Sequence, residues 1–456
     1  MRRIAISGLV AVAAVLGGVA GPAGAMAQPA AVAARTIGVA VRPGGVAVRP
    51  GSLVAMRAAR TPAAASVSEI GSGEPLISCV LATDCLGVEG SSTISSGGGP
   101  STPPRVARWN GSSWKGVRVT LPKGTRAADL LGVSCKGAKS CLVVGDYYTS
   151  TSLSAASHVL ALSYNGTSLK PTPAVPLPKG ATDPALISVS CATTSYCVAL
   201  GAADGNAGAF GNSVQPTIIE TWNGAKWTLH TAAASIGKTT LLEPSAVSCA
   251  TSAFCVLTGT QVTVTANSDS AKLYAASWNG KKLRAMKPAT VGGSKETPEA
   301  TDVSCASASN CAVTGAEVGY PTSSSSAPNL SAFTEIWNGK TWQLAKATWP
   351  KGTALSVTLG VSCYAARSCE AVGIDSASTA ETAPFDAAAL SFNGTAGVVQ
   401  AVPAPSKGHS TAFADVSCLP WGSCVATGET GKTNAASGAV MTGVWNGKAW
   451  KLDPGF

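Results

Sequence analysis

Histidine is nearly missing from this chain: it occurs only as His158, His230 and His409, at unrelated places. That argues against a repeated imidazole metal site. Charged residues are 12% of the total and aromatics 5%. So little charge cannot clothe long solvent-facing helices, and the 50 Gly and 27 Pro punctuate many short elements instead. The composition leans all-β. Acid is absent from the front, where no Asp or Glu precedes Glu69 but seven arginines do (Arg2, Arg3, Arg35, Arg42, Arg49, Arg57, Arg60). The net charge of +10 comes from 33 basic and 23 acidic residues, and setting those seven aside leaves 26 against 23. The basic excess that would suggest nucleic acid therefore lies outside the part expected to fold, and no nucleic-acid partner is expected. No nucleophile elbow, phosphate loop, zinc-protease helix or acidic Ca²⁺ loop occurs, and neither a cofactor nor a metal is expected.

The first 27 residues read as a secretory signal: "MRR", an apolar run, then small residues up to Ala25-Met26-Ala27, with cleavage before Gln28. After cleavage no stable membrane span is expected. Residues 28–67 are rich in Ala, Val, Pro, Gly and Arg, with "GVAVRPG" twice in succession at 38–44 and 45–51, and read as a disordered arm or linker.

From residue 68 to 456 one paragraph is written seven times. Fourteen cysteines form seven pairs with five residues between the members: Cys79/Cys85, Cys135/Cys141, Cys191/Cys197, Cys249/Cys255, Cys305/Cys311, Cys363/Cys369 and Cys418/Cys424. Ser precedes the first Cys of every pair. An aromatic followed by Asn-Gly stands between successive pairs, as Trp109, Tyr164, Trp222, Trp278, Trp337, Phe392 and Trp445. Each unit of about 56 residues reads as four strands, "LLGVSC", "CLVVG", "PTIIETW" and "KWTLHTA" in their versions. Asn-Gly between alternating runs predicts a type I′ hairpin turn joining third strand to fourth. Four-stranded units repeated seven times predict a seven-bladed β-propeller of antiparallel blades, which leaves only short strand edges.

The unit resembles secreted propeller proteins of the Asp-box and kelch type. In Asp-box proteins the signature occupies the hairpin between third and fourth strands and ends in Trp; "SWNGKKL" and "IWNGKTW" hold that place, with Asn for Asp. Some Asp-box proteins are sialidases, which implies an arginine triad, a Tyr/Glu pair and an Arg-Ile-Pro motif. No Arg-Ile-Pro occurs here and arginine is sparse in the units, so that activity is not expected.

Even cysteine number and fixed spacing in an exported chain predict seven local disulfides, one per unit. Trp109, Trp222, Trp278, Trp337 and Trp445 read as packing residues, because Tyr164, Phe392, Leu169 and Leu283 replace tryptophans of the motif in some copies. Cys hairpins and Asn-Gly turns must share one face of the ring. The opposite face carries the loops of variable length and the crossings between units, the usual place for binding. Six lysines recur there before the next unit, Lys123, Lys179, Lys238, Lys295, Lys351 and Lys407. They read either as solubilising residues copied by descent or as a collar for an anionic surface. Acidic residues follow the second strand in most units (Glu89, Asp146, Asp204, Glu317, Asp375, Glu429) and could pair with them. Trp421, inside one Cys loop, stands out as a contact residue on the hairpin face.

The sequence thus predicts a secreted, monomeric binding or scaffold module at the cell envelope rather than an enzyme. Its partner would be a glycan, wall polymer or protein. An envelope glycan hydrolase or lyase with carboxylates near the axis is the alternative. Whether the ring closes within a blade or between blades is left open.

Overall fold

A computed structural model describes residues 74–90, 103–150, 156–204, 217–231, 240–264, 269–291, 296–319, 329–380, 383–403, 409–432 and 438–456. The signal and arm lie outside these residues, as do Lys238, Lys295 and Lys407. Seven antiparallel four-stranded blades follow one another in chain order. Their first strands are Leu76–Leu81, Ala127–Gly137, Thr182–Thr193, Thr240–Thr251, Glu296–Ser307, Leu355–Ala365 and His409–Cys418. First strands of neighbouring blades touch, including those of blades 7 and 1, so they surround the axis of a closed ring. Crossing segments Arg118–Val119 and Lys346–Thr348 add a parallel edge strand to blades 2 and 6.

All seven disulfides form within their blades: Cys79–Cys85, Cys135–Cys141, Cys191–Cys197, Cys249–Cys255, Cys305–Cys311, Cys363–Cys369 and Cys418–Cys424. Each links directly opposed residues of first and second strand. The second Cys in turn faces the aromatic of the third strand: Cys85 opposite Trp109, Cys197 opposite Trp222, Cys311 opposite Trp337, Cys369 opposite Phe392 and Cys424 opposite Trp445. The repeated spacing is thus the register of three strands.

The serine before each first Cys has a role that its spacing does not reveal. Its Oγ accepts the backbone N–H of the first Cys in the next blade: Cys135 to Ser78, Cys191 to Ser134, Cys249 to Ser190, Cys305 to Ser248, Cys363 to Ser304 and Cys418 to Ser362. Cys79 donates to Ser417 across the seam and completes the circle, every bond being 2.8–2.9 Å. Two residues upstream of the serine a second tier appears where the side chain permits. Ser188 takes Val247 N, Asp302 takes Val361 N, and Asp415 takes Ile77 N at 2.8 Å.

Blades coincide with sequence units, so among the described residues no strand crosses the seam. Extra contacts compensate: Thr427 Oγ1 donates to the Pro75 carbonyl at 2.6 Å, Trp114 Nε1 to Thr442 Oγ1 at 2.8 Å, and Phe456 rests on Trp114 with ring centres 4.7 Å apart.

A β-bulge interrupts the first strand of blades 2 to 7 at the residue before the second tier, as at Leu131 and Ala414. It pushes a carbonyl toward the second strand, where any Cβ on Gly145, Gly201, Gly259, Gly315, Gly373 or Gly428 would collide with it. Cys-x-x-x-Gly in six units is therefore a steric requirement of the bulge.

The Asn-Gly turns differ from the type I′ expectation. In six blades the loop has four residues, as in Asn110 to Ser113 between Trp109 and Trp114. Asn110 N donates to the Ser113 carbonyl, while its side-chain oxygen accepts Ser112 N and Ser113 N; only the glycine has positive φ. Asn is there as an acceptor for two loop amides, not for a left-handed backbone. Blade 6 alone turns on two residues, Gly394 and Thr395.

The paired tryptophans pack at 5.2–5.7 Å. In four blades a tryptophan N–H reaches the preceding blade: Trp114 to Thr442, Trp227 to Thr172, Trp450 to Gln400 and the unpaired Trp278 to Tyr196, whereas Trp337 donates to Ala308 of its own blade. The four rivet blade to blade.

Candidate functional site

All fourteen cysteines are held in disulfides. Cys85, Cys197, Cys255, Cys311, Cys369 and Cys424 are each at most 1% exposed, and no free thiol occurs among the described residues. Trp109, Trp222 and Trp278 are likewise buried, as packing residues are.

The amino ends of the first strands and the crossings form the face opposite the Cys hairpins. Lys123, Lys179 and Lys351 are exposed on it at equivalent places. Each is the second residue of a Pro-Lys-Gly turn closed by a hydrogen bond back to the proline carbonyl, Thr125, Ala181 and Thr353 being the donors at 3.1–3.2 Å. The glycine takes positive φ, as a type II turn requires at its third position. The turn thus accounts for Pro and Gly, while Lys is unconstrained by it. None of the three lysines has an ion-pair partner among the described residues.

Among the described residues no ion pair joins these acidic residues to Lys123, Lys179 or Lys351. Glu89 accepts Arg105 Nε at 2.6 Å from the adjacent strand. Asp146 is buried, Glu317 and Glu429 are half-buried, and the side chain of Asp204 lies outside the described residues. Asp375 is half-buried opposite Asp386 in a small cleft of blade 6.

A set of carboxylates on and beside the first strands was not singled out by sequence. Glu243 and Glu299 belong to blades 4 and 5, Asp302 and Asp415 to blades 5 and 7, and Glu74 leads into blade 1. Burial pushes Glu74 up to about 8, with Glu429 and Asp415 adding repulsion. Burial and then Glu299 bring Glu243 to about 7. Asp302 is raised by burial and by Asp415, against which its bonds from Val361 N and Val303 N work. Asp415 is likewise raised by burial and lowered by Ile77 N and Val416 N. Each of these two carboxylates thus spends one oxygen on joining blades and the other on the N–H of the next residue in its own strand. The sequence signal existed, Asp in two units where Gly, Ser, Ala or Leu stands in the others, three residues before the first Cys.

On the hairpin face Trp421 is 64% exposed in its Cys loop and Leu81, in the neighbouring loop of blade 1, 51%. No group of three or more metal-ligating side chains suited to a metal occurs among the described residues. No helix among them is long and apolar enough to cross a membrane.

A scan against protein-family models and a comparison with curated proteins both find no match. Solved structures with a similar course of chain include a polysaccharide lyase, an ulvan lyase bound to a GlcA–sulfated rhamnose unit (8% identity, TM-score 0.48, 84% of this chain and 96% of that one). Others are YCF48 bound to D1 peptide (12%, 0.39, 80% and 92%) and sucrose-6-phosphate hydrolase from Lactobacillus gasseri (10%, 0.37, 85% and 86%). Likeness at this level carries no statement about what the present chain binds.

Proposed function

We propose that this protein is a secreted, non-enzymatic binding module of the cell envelope, with its ligand on the face of crossings and variable loops. One observation carries the reading: disulfides, serine bonds and tryptophan rivets all hold the hairpin side, while the opposite side carries three cationic turn tips on equivalent positions without ion-pair partners among the described residues. A rigid ring presenting repeated charges suits a repeating anionic polymer, such as an acidic glycan or wall polymer. Seven disulfides fit an oxidising compartment. The Asn-capped hairpins support kinship with the Asp-box type of propeller.

The test is binding of the purified protein to an array of acidic and neutral glycans at low and high salt. Binding confined to anionic polymers should weaken steeply with salt and fall by about tenfold in the Lys123→Glu/Lys179→Glu/Lys351→Glu variant. Salt-independent binding, or an unchanged variant, would refute the collar.

A second reading, a glycan hydrolase or lyase, draws on Glu243 beside Glu299, since a carboxyl titrating near neutrality next to another is suited to general acid work. Release of new reducing ends from the same glycans would favour it.

A further inference from the structure

The outer strand of blade 6, Ala396–Gln400, is shorter than the third strand, Asp386–Asn393, so Asp386, Ala387 and Ala388 run past the last paired rung at Ala389 and Gln400. Val402 and Pro403 from the next crossing and Pro350 from the preceding turn flank the gap, leaving a cavity of about 150 Å³. Its wall holds Asp375 and Asp386 directly opposed on neighbouring strands. Like charges so placed work against the sheet. The same rung elsewhere holds Tyr147 and His158, Gln261 and Lys272, Glu317 and Ser331, or Thr430 and Ala439. Among the described residues no other blade sets two acids there. Burial, and then Asp386, hold Asp375 above the ordinary carboxylate range, with the Thr353 hydroxyl opposing.

Donors complete the lining. Trp450 Nε1 donates to Gln400 Oε1 at 2.6 Å, which leaves the amide NH₂ of Gln400 to other acceptors. Thr411 is 2% exposed; its Oγ1 accepts Ala387 N at 3.0 Å, and its own hydroxyl hydrogen has no acceptor among the described residues. Lys351, at the tip of the neighbouring turn, makes no ion pair with either carboxylate.

We propose that this cleft binds one unacetylated amino-sugar ring. The ammonium sits between Asp375 and Asp386, ring hydroxyls accept from Gln400 and Thr411, and the C–H face lies against Val399, Val402 and Pro403. A volume of about 150 Å³, which elsewhere takes benzene, admits the amine-bearing edge of the sugar while the rest of the ring projects into solvent. The proposal does not depend on the lysine collar, whose ligand is anionic, and a failed polymer screen would leave its test unchanged.

The test is calorimetric titration of the full-length protein with glucosamine, glucose and N-acetylglucosamine at low salt. Glucosamine should bind in the millimolar range and the two uncharged sugars about tenfold more weakly or worse, because each lacks the charge-assisted bonds. The Asp375→Asn/Asp386→Asn protein should melt no lower than the parent, having lost a repulsion, and should lose the preference for glucosamine. Asp386 is exposed, so Asp386→Asn alone gives the same reading should the double variant not fold. Equal binding of glucose and glucosamine, no binding of glucosamine, or undiminished preference in the variants would overturn the proposal.

Discussion

Reduction of the seven disulfides is expected to unfold the ring at temperatures where the oxidised protein is intact. Each bridge closes a loop of about seven residues, worth roughly 2 kcal/mol in the chain-entropy model. Seven together are of the order of the whole stability of a domain, roughly 5–15 kcal/mol. The loss is not confined to entropy, because the first Cys of each pair also donates the backbone bond that joins its blade to the one before. Loosening a hairpin therefore loosens a blade interface. The second Cys of each pair is buried, from 0% exposed at Cys255, Cys311 and Cys369 to 5% at Cys141, while Cys79, Cys305 and Cys418 are half-buried, so reductant reaches those three bridges first and the others through opened blades. Thermal scans with and without reductant, after brief incubation in mild denaturant, check this. A midpoint shifted by only a degree or two would show that the core alone holds the ring. Replacing a single pair, as in Cys135→Ser/Cys141→Ser, should cost roughly 2 kcal/mol by denaturant titration.

The second large effect is a loss of stability with rising pH. Glu220, Glu335 and Glu370 are wholly buried within blades 3, 5 and 6. Both carboxylate oxygens of Glu220 and Glu370 lack a hydrogen-bond partner among the described residues, and Glu335 has one, from Ala289 N. Burial pushes Glu220 and Glu370 up to about 8 and Glu335 to about 7. Each is a carboxyl that the folded state keeps protonated and the unfolded state ionises near 4.5. Between those values the folded protein holds more protons, so stability is full below about pH 4.5 and falls as pH rises toward 8. The slope is on the order of 1 kcal/mol per pH unit for each group, and 1 kcal/mol corresponds to roughly 1–2 °C in a ring of this size. Melting points should therefore decline by several degrees or more from pH 5 to pH 8. Glu220→Gln and Glu370→Gln should flatten the curve. A rise over that interval would mean these carboxyls find partners when ionised.

Much of the fold could be read because it is repeated. Seven Cys pairs at one spacing define the blades, and the disulfides connect the residues that the spacing implied. The serines were visible as a pattern but not as a joint. Their partners lie 56 to 59 residues away on the next blade, or 338 across the seam, and sheet geometry rather than local sequence brings them together. The hairpin turns depart from the type I′ expectation for a reason the sequence contains. Four residues separate Trp109 from Trp114 and Trp445 from Trp450, too many for a two-residue turn, and Asn serves as a local acceptor instead. On the variable face the lysines were found and their turns explain their neighbours. The blade 6 cleft was not found, because it arises from two strands of unequal length. Asp375 was noticed alone; Asp386 acquires meaning only in register with it.

Amide hydrogen exchange on the full-length protein, with and without bound anionic polymer, tests the central claim most directly. A rigid hairpin face that only frames the ring should show Cys79 N at the seam protected as strongly as Cys135, Cys191 and Cys363 N, with no change on binding. Added protection should fall on the crossings around residues 117–126, 172–181 and 345–354. Added protection at the Cys hairpins or the Asn-Gly turns would place the ligand on the opposite face and contradict the account.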